Sequence, residues 1–217
     1  MVGISVASNK EWKFVLEYYK DKIEKVYNYI FGEYFYVSIN GKTVLVYKCG
    51  ARKSNASAST QYIIDKFNLD KIILIGTAAG VNENYKLLDV LIPNISIQGD
   101  CNFVEKGEPF QDKFITEINL SKYNHQQSAT ICSLDKPLIY KEDCKIMADH
   151  NVDIRDMESG AIANICKLNN VEIIIIKGIT DFPGNYDVTD EKQYLEYKEN
   201  VPKVMNKILK QYLQEFI

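Results

Sequence analysis

Four consecutive isoleucines, Ile173-Ile174-Ile175-Ile176, constrain the fold of this chain more than any other stretch. An uninterrupted β-branched run of this length fits a strand of parallel sheet buried on both faces. The stretch before it, DIRDMESGAIANICKLNN over 153–170, reads as a helix and a short loop. Met157, Ala161, Ile165 and Leu168 fall at helical spacing and give it one apolar face. Asp156 and Glu158 stand at its predicted start, beside the free N–H groups and the positive end of the helix dipole. Asn169-Asn170 breaks the pattern. The strand then leaves the apolar run through Lys177-Gly178-Ile179-Thr180-Asp181. In open α/β sheets ligands bind just outside the carboxyl ends of the strands. One carboxylate at a helix start and another past a strand end can therefore converge on one ligand.

The rest of the chain repeats this alternation. Residues 3–7 form a short apolar strand, and Ser8 or Asn9 caps a helix with Trp12, Val15, Leu16 and Tyr19 on its inner face. Residues 34–39 and 43–47 flank Asn40-Gly41, a strong hairpin signal. Gly41-Lys42-Thr43 is not the tail of a phosphate-binding loop, because Tyr36 stands where that motif needs glycine. Residues 49–56, CGARKSNA, turn into a helix of small residues. Residues 72–75 form a second buried strand that runs into Gly76-Thr77-Ala78-Ala79-Gly80, read as a turn whose small residues let backbone N–H groups approach a ligand. Residues 88–97 read as a strand interrupted by Pro93, and 128–133 as another. Residues 99–113 read as an irregular loop, 138–149 as a helix, 182–185 as a turn, and 194–216 as a long amphipathic helix. Strands alternating with helices predict an α/β fold, a three-layer α/β/α sandwich around a central mixed β-sheet.

With 217 residues, 46% of them hydrophobic, the chain is long enough for one ordinary domain over 1–217. A net charge of −3 gives no basis for a nucleic-acid or anionic-membrane partner. No apolar run approaches a membrane span, and the N-terminus lacks the pattern of a signal peptide. The expectation is a soluble cytoplasmic protein. Five cysteines (49, 101, 132, 144 and 166) without paired spacing suggest neither a disulfide framework nor a zinc site. Cys49, Cys132 and Cys166 lie in apolar segments and are expected in the core. His125 and His150 read as solvated residues. No metal and no cofactor is expected.

Asp156-Met157-Glu158-Ser159-Gly160-Ala161-Ile162-Ala163 resembles the M-E-x-x-A-x-A segment of the nucleoside phosphorylase and nucleosidase superfamily. Gly178-Ile179-Thr180-Asp181 resembles the [IV]-[ST]-D that follows it there. Gly76 to Gly80 is similar to the G-[ST]-[AC]-G-G turn of that family, with Ala79 in place of its second glycine. Residues 50–56 are similar to its G-x-G-K-x-N-A segment, from which Ala51-Arg52 departs. Lys177 stands where the family often has arginine. The nearest likeness is to the methylthioadenosine/S-adenosylhomocysteine nucleosidases. The resemblance follows the whole chain in order, and it implies a mixed sheet flanked by helices, a purine nucleoside as the small-molecule partner, and a homodimer with Asn102-Phe103 and Pro109-Phe110 as a candidate interface loop.

Breaking an N-glycosidic bond requires protonation of the leaving base, stabilisation of an oxocarbenium-like sugar, and a nucleophile from the opposite face. The resemblance implies two catalytic residues: Asp181, donating a proton toward purine N7, and Glu11, activating water. The Ile-rich strand would give Asp181 the dry surroundings such a donor needs. Read without the resemblance, Asp181 is a turn cap, Glu11 an exposed first-turn residue, and Glu158 a charge at a helix start. The resemblance gives Glu158 the ribose hydroxyls and Met157 the underside of the sugar, although a core methionine looks the same in sequence. Thr180 would support Asp181, and Asp156, Thr77 and Ala78 complete the expected substrate-binding set. Two alternatives stand beside hydrolysis. A phosphate-dependent phosphorylase needs cationic groups around phosphate. The hexameric phosphorylases carry one arginine where this chain has Leu74 and another after the first strand, leaving Arg52 as the one nearby candidate here. A non-catalytic nucleoside-binding module of the same fold is the third reading.

Overall fold

A computed structural model of the protein describes residues 1–100, 114–123, 128–135, 147, 150–182 and 191–217, with backbone alone at 191–194 and 196. Most of the expected loop over 99–113, most of the expected helix over 138–149, and the turn beyond Phe182 lie outside the described residues.

The centre of the molecule is four parallel strands. β1 (Val2–Val6) pairs with β4 (Lys42–Lys48) on one side and β5 (Lys71–Gly80) on the other, and β5 pairs in turn with β11 (Glu172–Asp181). Ile72 to Ile75 and Ile174 to Ile176 are fully buried, as continuous apolar runs predict for strands covered on both faces. The hairpin at Asn40-Gly41 is present: β3 (Gly32–Ile39) pairs antiparallel with β4, and Asn40 and Gly41 have φ of 51° and 75°. Two such residues make the tight hairpin turn whose twist matches the strands. Beyond β3 lies β2 (Val26–Tyr29), an edge strand absent from the sequence reading.

On the far side the sheet changes direction. β10 (Ile154–Asp156) runs antiparallel to the tail of β5, with Ile154 opposite Gly80 and Arg155 opposite Ala79. Parallel to β10 run β9 (Thr130–Ser133) and then β7 (Ile95–Gln98), edged by antiparallel β8 (Ile115–Glu117). The two-residue β6 (Val90–Leu91) pairs with β11. The sheet is therefore mixed, as expected.

Helices cover both faces. α1 (Asn9–Tyr19) packs against α4 (Glu191–Lys207) on one, and α2 (Lys53–Phe67) against α3 (Ser159–Leu168) on the other. α1 begins as its sequence requires: Ser8 is the N-cap and Glu11 closes a capping box. Trp12, Val15 and Tyr19 are buried on its inner face. Cys49, Cys132 and Cys166 are buried free thiols. No helix among the described residues is long and apolar enough to cross a membrane.

Four expectations are corrected. Gly76 to Gly80 is not a turn but the continuation of β5, held by pairing with both β11 and β10. The helix expected from residue 153 begins only at Ser159, because 154–156 are taken up by sheet pairing. Residues 88–97 form two short strands rather than one, separated at 92–94, where Pro93 has no N–H to donate to a ladder. The C-terminal helix gives way after Lys207 to a π-helical segment (Ile208–Tyr212) and a 3-10 turn (Leu213–Phe216).

Candidate active site

The carboxyl ends of β1, β4, β5 and β11 share one side of the sheet because these strands are parallel, and every predicted site residue lies there or on a segment that reaches it. Glu11 arrives first. The capping box holds its carboxylate in place: Ser8 N–H donates to Oε2 at 2.8 Å, and the Ser8 hydroxyl accepts from Glu11 N–H at 3.2 Å. Its other oxygen, Oε1, accepts from the Thr77 N–H at 2.6 Å and the Thr77 hydroxyl at 2.9 Å. Glu11 is only 2% exposed. An exposed first-turn glutamate is therefore not what the structure contains.

Gly76 makes this approach possible. A Cβ there would stand 2.6 Å from Glu11 Oε1 and 3.0 Å from Lys177 Nζ. With no side chain at Gly76, the Lys177 side chain lies over β5. It reaches Asp156, with Nζ to Oδ2 at 3.0 Å, and both side chains are almost fully buried. Burial alone would lower the Lys177 pKa, but the negative charges of Asp156, Glu11 and Glu158 outweigh it and hold the ammonium above the ordinary lysine range. Burial alone would likewise raise the Asp156 pKa. The Lys177 charge and hydrogen bonds from Ser159 and Ser133 reverse that, and the carboxyl is held below its usual value.

Asp156, expected among the substrate-binding residues, is held by bonds within the protein. Its oxygens accept from the Ser133 hydroxyl at 2.7 Å, the Ser159 N–H at 3.1 Å and the Ser159 hydroxyl, besides pairing with Lys177. It caps α3 and anchors Lys177, with its lone pairs committed inside the protein. Glu158 makes no such cap. It is 7% exposed, and its Oε1 accepts the Arg52 N–H at 2.8 Å. Burial, reinforced by the Asp156 charge, pushes its pKa up to about 7, against the opposing pull of Lys177 and the Arg52 N–H.

Arg52 makes that hydrogen bond from an unusual backbone. With φ 75° and ψ 157° it occupies a region that only glycine enters freely. A non-glycine residue there is strained by roughly 1–3 kcal/mol. The position is the second glycine of the motif from which this chain departs. The Arg52 guanidinium donates through Nη1 to the Asp135 carbonyl, and Lys53 N–H donates to the Asp135 carboxylate at 2.9 Å.

Asp181 ends β11, opposite Ala79 across a register shift. The Thr180 hydroxyl donates to Asp181 Oδ1 at 2.6 Å, and the Asn200 amide on α4 donates to the Thr180 carbonyl at 3.1 Å. Thr180 is 1% exposed and hydrogen-bonded to Asp181. Ala78 is buried in the ladder, and Met157 is half-buried between β10 and α3. Asp181 sits one strand across from Thr77, which holds Glu11, and two residues further on, roughly 7 Å along the strand direction at ~3.3 Å per residue. Lys177, Ser133 and Arg52 have parts in this site that the sequence reading did not assign. A lysine in an otherwise apolar strand, at a position where the family often has arginine, was the available signal for the first of them. Among the described residues no cluster of potential metal ligands is present.

The chain is 27% identical to a 5′-methylthioadenosine/S-adenosylhomocysteine nucleosidase of Buchnera aphidicola subsp. Acyrthosiphon pisum (strain Tuc7), covering 100% of this chain and 98% of the relative. It is 26% identical to the nucleosidase of the same name from Staphylococcus haemolyticus (strain JCSC1435), covering 97% and 99%. The fold is shared with the solved nucleosidase of S. pneumoniae, bound to a transition-state inhibitor (TM-score 0.81, 19% identity, 99% and 97% covered). It is shared equally with the futalosine hydrolase of Helicobacter pylori strain 26695 (TM-score 0.82, 17% identity, 99% and 96% covered). A family model described as the phosphorylase superfamily matches residues 1–217, and the chain belongs to that superfamily.

Proposed function

We propose that this protein is a purine nucleosidase, an N-glycosyl hydrolase that releases the free base from 5′-methylthioadenosine, S-adenosylhomocysteine or a related adenine nucleoside. The observation that carries the reading is Glu11. A carboxylate 2% exposed, held by three hydrogen bonds through both oxygens at the mouth of a parallel sheet, supports the reading of a fixed group that takes a proton. In this reaction Glu11 draws a proton from a water molecule as the water oxygen bonds to the anomeric carbon. The electron pair of the C–N bond leaves with the base, and Asp181, steadied by Thr180, delivers a proton to purine N7. Glu158 accepts hydrogen bonds from the ribose hydroxyls, Met157 packs beneath the sugar, and Thr77 and Ala78 line the floor. Lys177 and Asp156 act from behind, the ammonium offsetting the two glutamates.

Water is favoured over phosphate as nucleophile by Leu74. It is fully buried in β5, where the hexameric phosphorylases carry an arginine, so a phosphate-binding cation is replaced by core packing. The resemblance that implies these roles also implies a homodimer. Its candidate interface residues, Asn102, Phe103, Pro109 and Phe110, lie outside the described residues. Three free thiols at Cys49, Cys132 and Cys166 accord with a cytoplasmic setting.

Glu11→Gln tests the assignment. It keeps shape and most hydrogen bonding but removes the base. Hydrolysis should fall by about 10²-fold or more while calorimetry shows a substrate analogue still bound. Unchanged hydrolysis would remove Glu11 from the mechanism. A pure binding module would show no turnover in the parent protein.

A further inference from the structure

Only two arginines occur in the chain against 24 lysines, and one of them, Arg52, occupies backbone space suited to glycine beside the candidate active site. The side chain accounts for how that conformation is held. Its guanidinium is bound to the Asp135 carbonyl at the exit of β9, while the next residue, Lys53, is bound twice: its N–H to the Asp135 carboxylate and its ammonium to Asp100. Asp135 N–H closes the loop by donating to Asp100 at 2.9 Å. The product of this clamp is a single main-chain N–H aimed at Glu158 Oε1.

We infer that Arg52 is a positioning residue for Glu158: its guanidinium, anchored on the Asp135 carbonyl, holds a strained backbone so that the Arg52 N–H fixes the orientation and ionisation of Glu158. This rests on the reading of Glu158 as the group that holds the ribose hydroxyls. Around Glu158 the charged groups are Asp156 at the end of β10, Lys177 on β11 and Glu11 on α1. Asp156 and Glu11 oppose its ionisation; Lys177 and the Arg52 N–H favour it. Lys177 is itself tied to Asp156, so the Arg52 N–H is the one direct hydrogen bond to the Glu158 carboxylate among the described residues. If the clamp is lost, the turn relaxes, the N–H leaves, and Glu158 takes up a proton at higher pH.

Strain and clamp can be separated by substitution. Arg52→Ala and Arg52→Met both remove the guanidinium and keep the disfavoured Cβ; the methionine also keeps the stem, should the alanine fail to fold. Arg52→Gly removes guanidinium and strain together. The readouts are kcat/KM against pH with 5′-methylthioadenosine, and the ratio of kcat/KM between that substrate and its 2′-deoxy analogue. In the alanine and methionine variants the acid limb should move up by about one pH unit, the size expected for a hydrogen bond to a charged group. Preference for the ribose substrate should fall about tenfold. Arg52→Gly should return both toward the parent values and raise the melting temperature. Alanine and methionine profiles that overlay the parent, or a glycine variant displaced as far as the alanine, would overturn the inference. Titration of the Glu158 carboxyl carbon by NMR reads the same displacement without turnover. A parent protein that hydrolyses no adenine nucleoside would therefore count against the functional reading while leaving the role of Arg52 decided by the titration.

Discussion

At the scale of the residue, Glu158 ties folding to pH. Its carboxyl is raised from an ordinary glutamate value to about 7, first by burial and then by Asp156. A group whose folded pKa is raised contributes stability that is complete below the unfolded value and is lost as pH rises through the folded value. The protein should therefore lose stability between about pH 4.5 and pH 7 on this account, by a few kcal/mol in order of magnitude. Glu158→Gln removes that dependence. In denaturant titrations the variant should gain on the parent as pH rises from 5 to 8, while its turnover is severely reduced. A stability difference flat across that range would contradict the assignment. Glu11, Glu158 and Asp181 were singled out in the sequence through the family resemblance; read on their own they were a first-turn glutamate, a charge at a helix start and a turn cap. The Lys177–Asp156 pair was not singled out. It forms across β5 through the space left by Gly76, and spacing along a chain carries no record of a contact that crosses an intervening strand.

At the scale of the element, the first turn of α1 serves two ends with one set of hydrogen bonds. Ser8 caps the helix, and the same capping box fixes Glu11 at the site. Ser8→Ala removes the hydroxyl acceptor and should cost about 1 kcal/mol, lowering the melting temperature by roughly 2–4 °C for a chain of this size. The N–H groups of Ser8 and Thr77 remain to hold the carboxylate, so kcat should fall by less than about tenfold. A loss of turnover as deep as that of Glu11→Gln, measured on folded protein, would show that the hydroxyl does more than cap. Elements with strong local signals were readable: the cap at Ser8, the turn at Asn40-Gly41, the isoleucine strand. Those that depend on partners were not. Gly76 to Gly80 has the composition of a turn, yet pairing on both sides keeps it in the sheet. Residues 154–156 precede a helical pattern, yet the free edge of the β5 tail draws them into strand. β2 and β8 lie at the margins of the sheet, where half-exposed residues blur the alternation that marks a strand.

At the scale of the whole molecule, the sheet changes direction at the candidate site. Four parallel strands deliver Glu11, Thr77 and Asp181 to one side, and antiparallel β10 runs back along β5 to bring Asp156 and Glu158 to the same place. Helix–strand alternation made the layered architecture legible; the reversal at β10, on which the convergence depends, was not, since three residues carry too little pattern to announce a strand. For the proposed hydrolase the most direct measurement is product analysis in phosphate-free buffer. Purified protein is incubated with 5′-methylthioadenosine, S-adenosylhomocysteine and adenosine, with and without added phosphate, and the base and sugar products are separated by chromatography. Free adenine and the free sugar, formed at the same rate whether or not phosphate is present, are the predicted result. Adenine release that requires phosphate and yields the sugar 1-phosphate would contradict it.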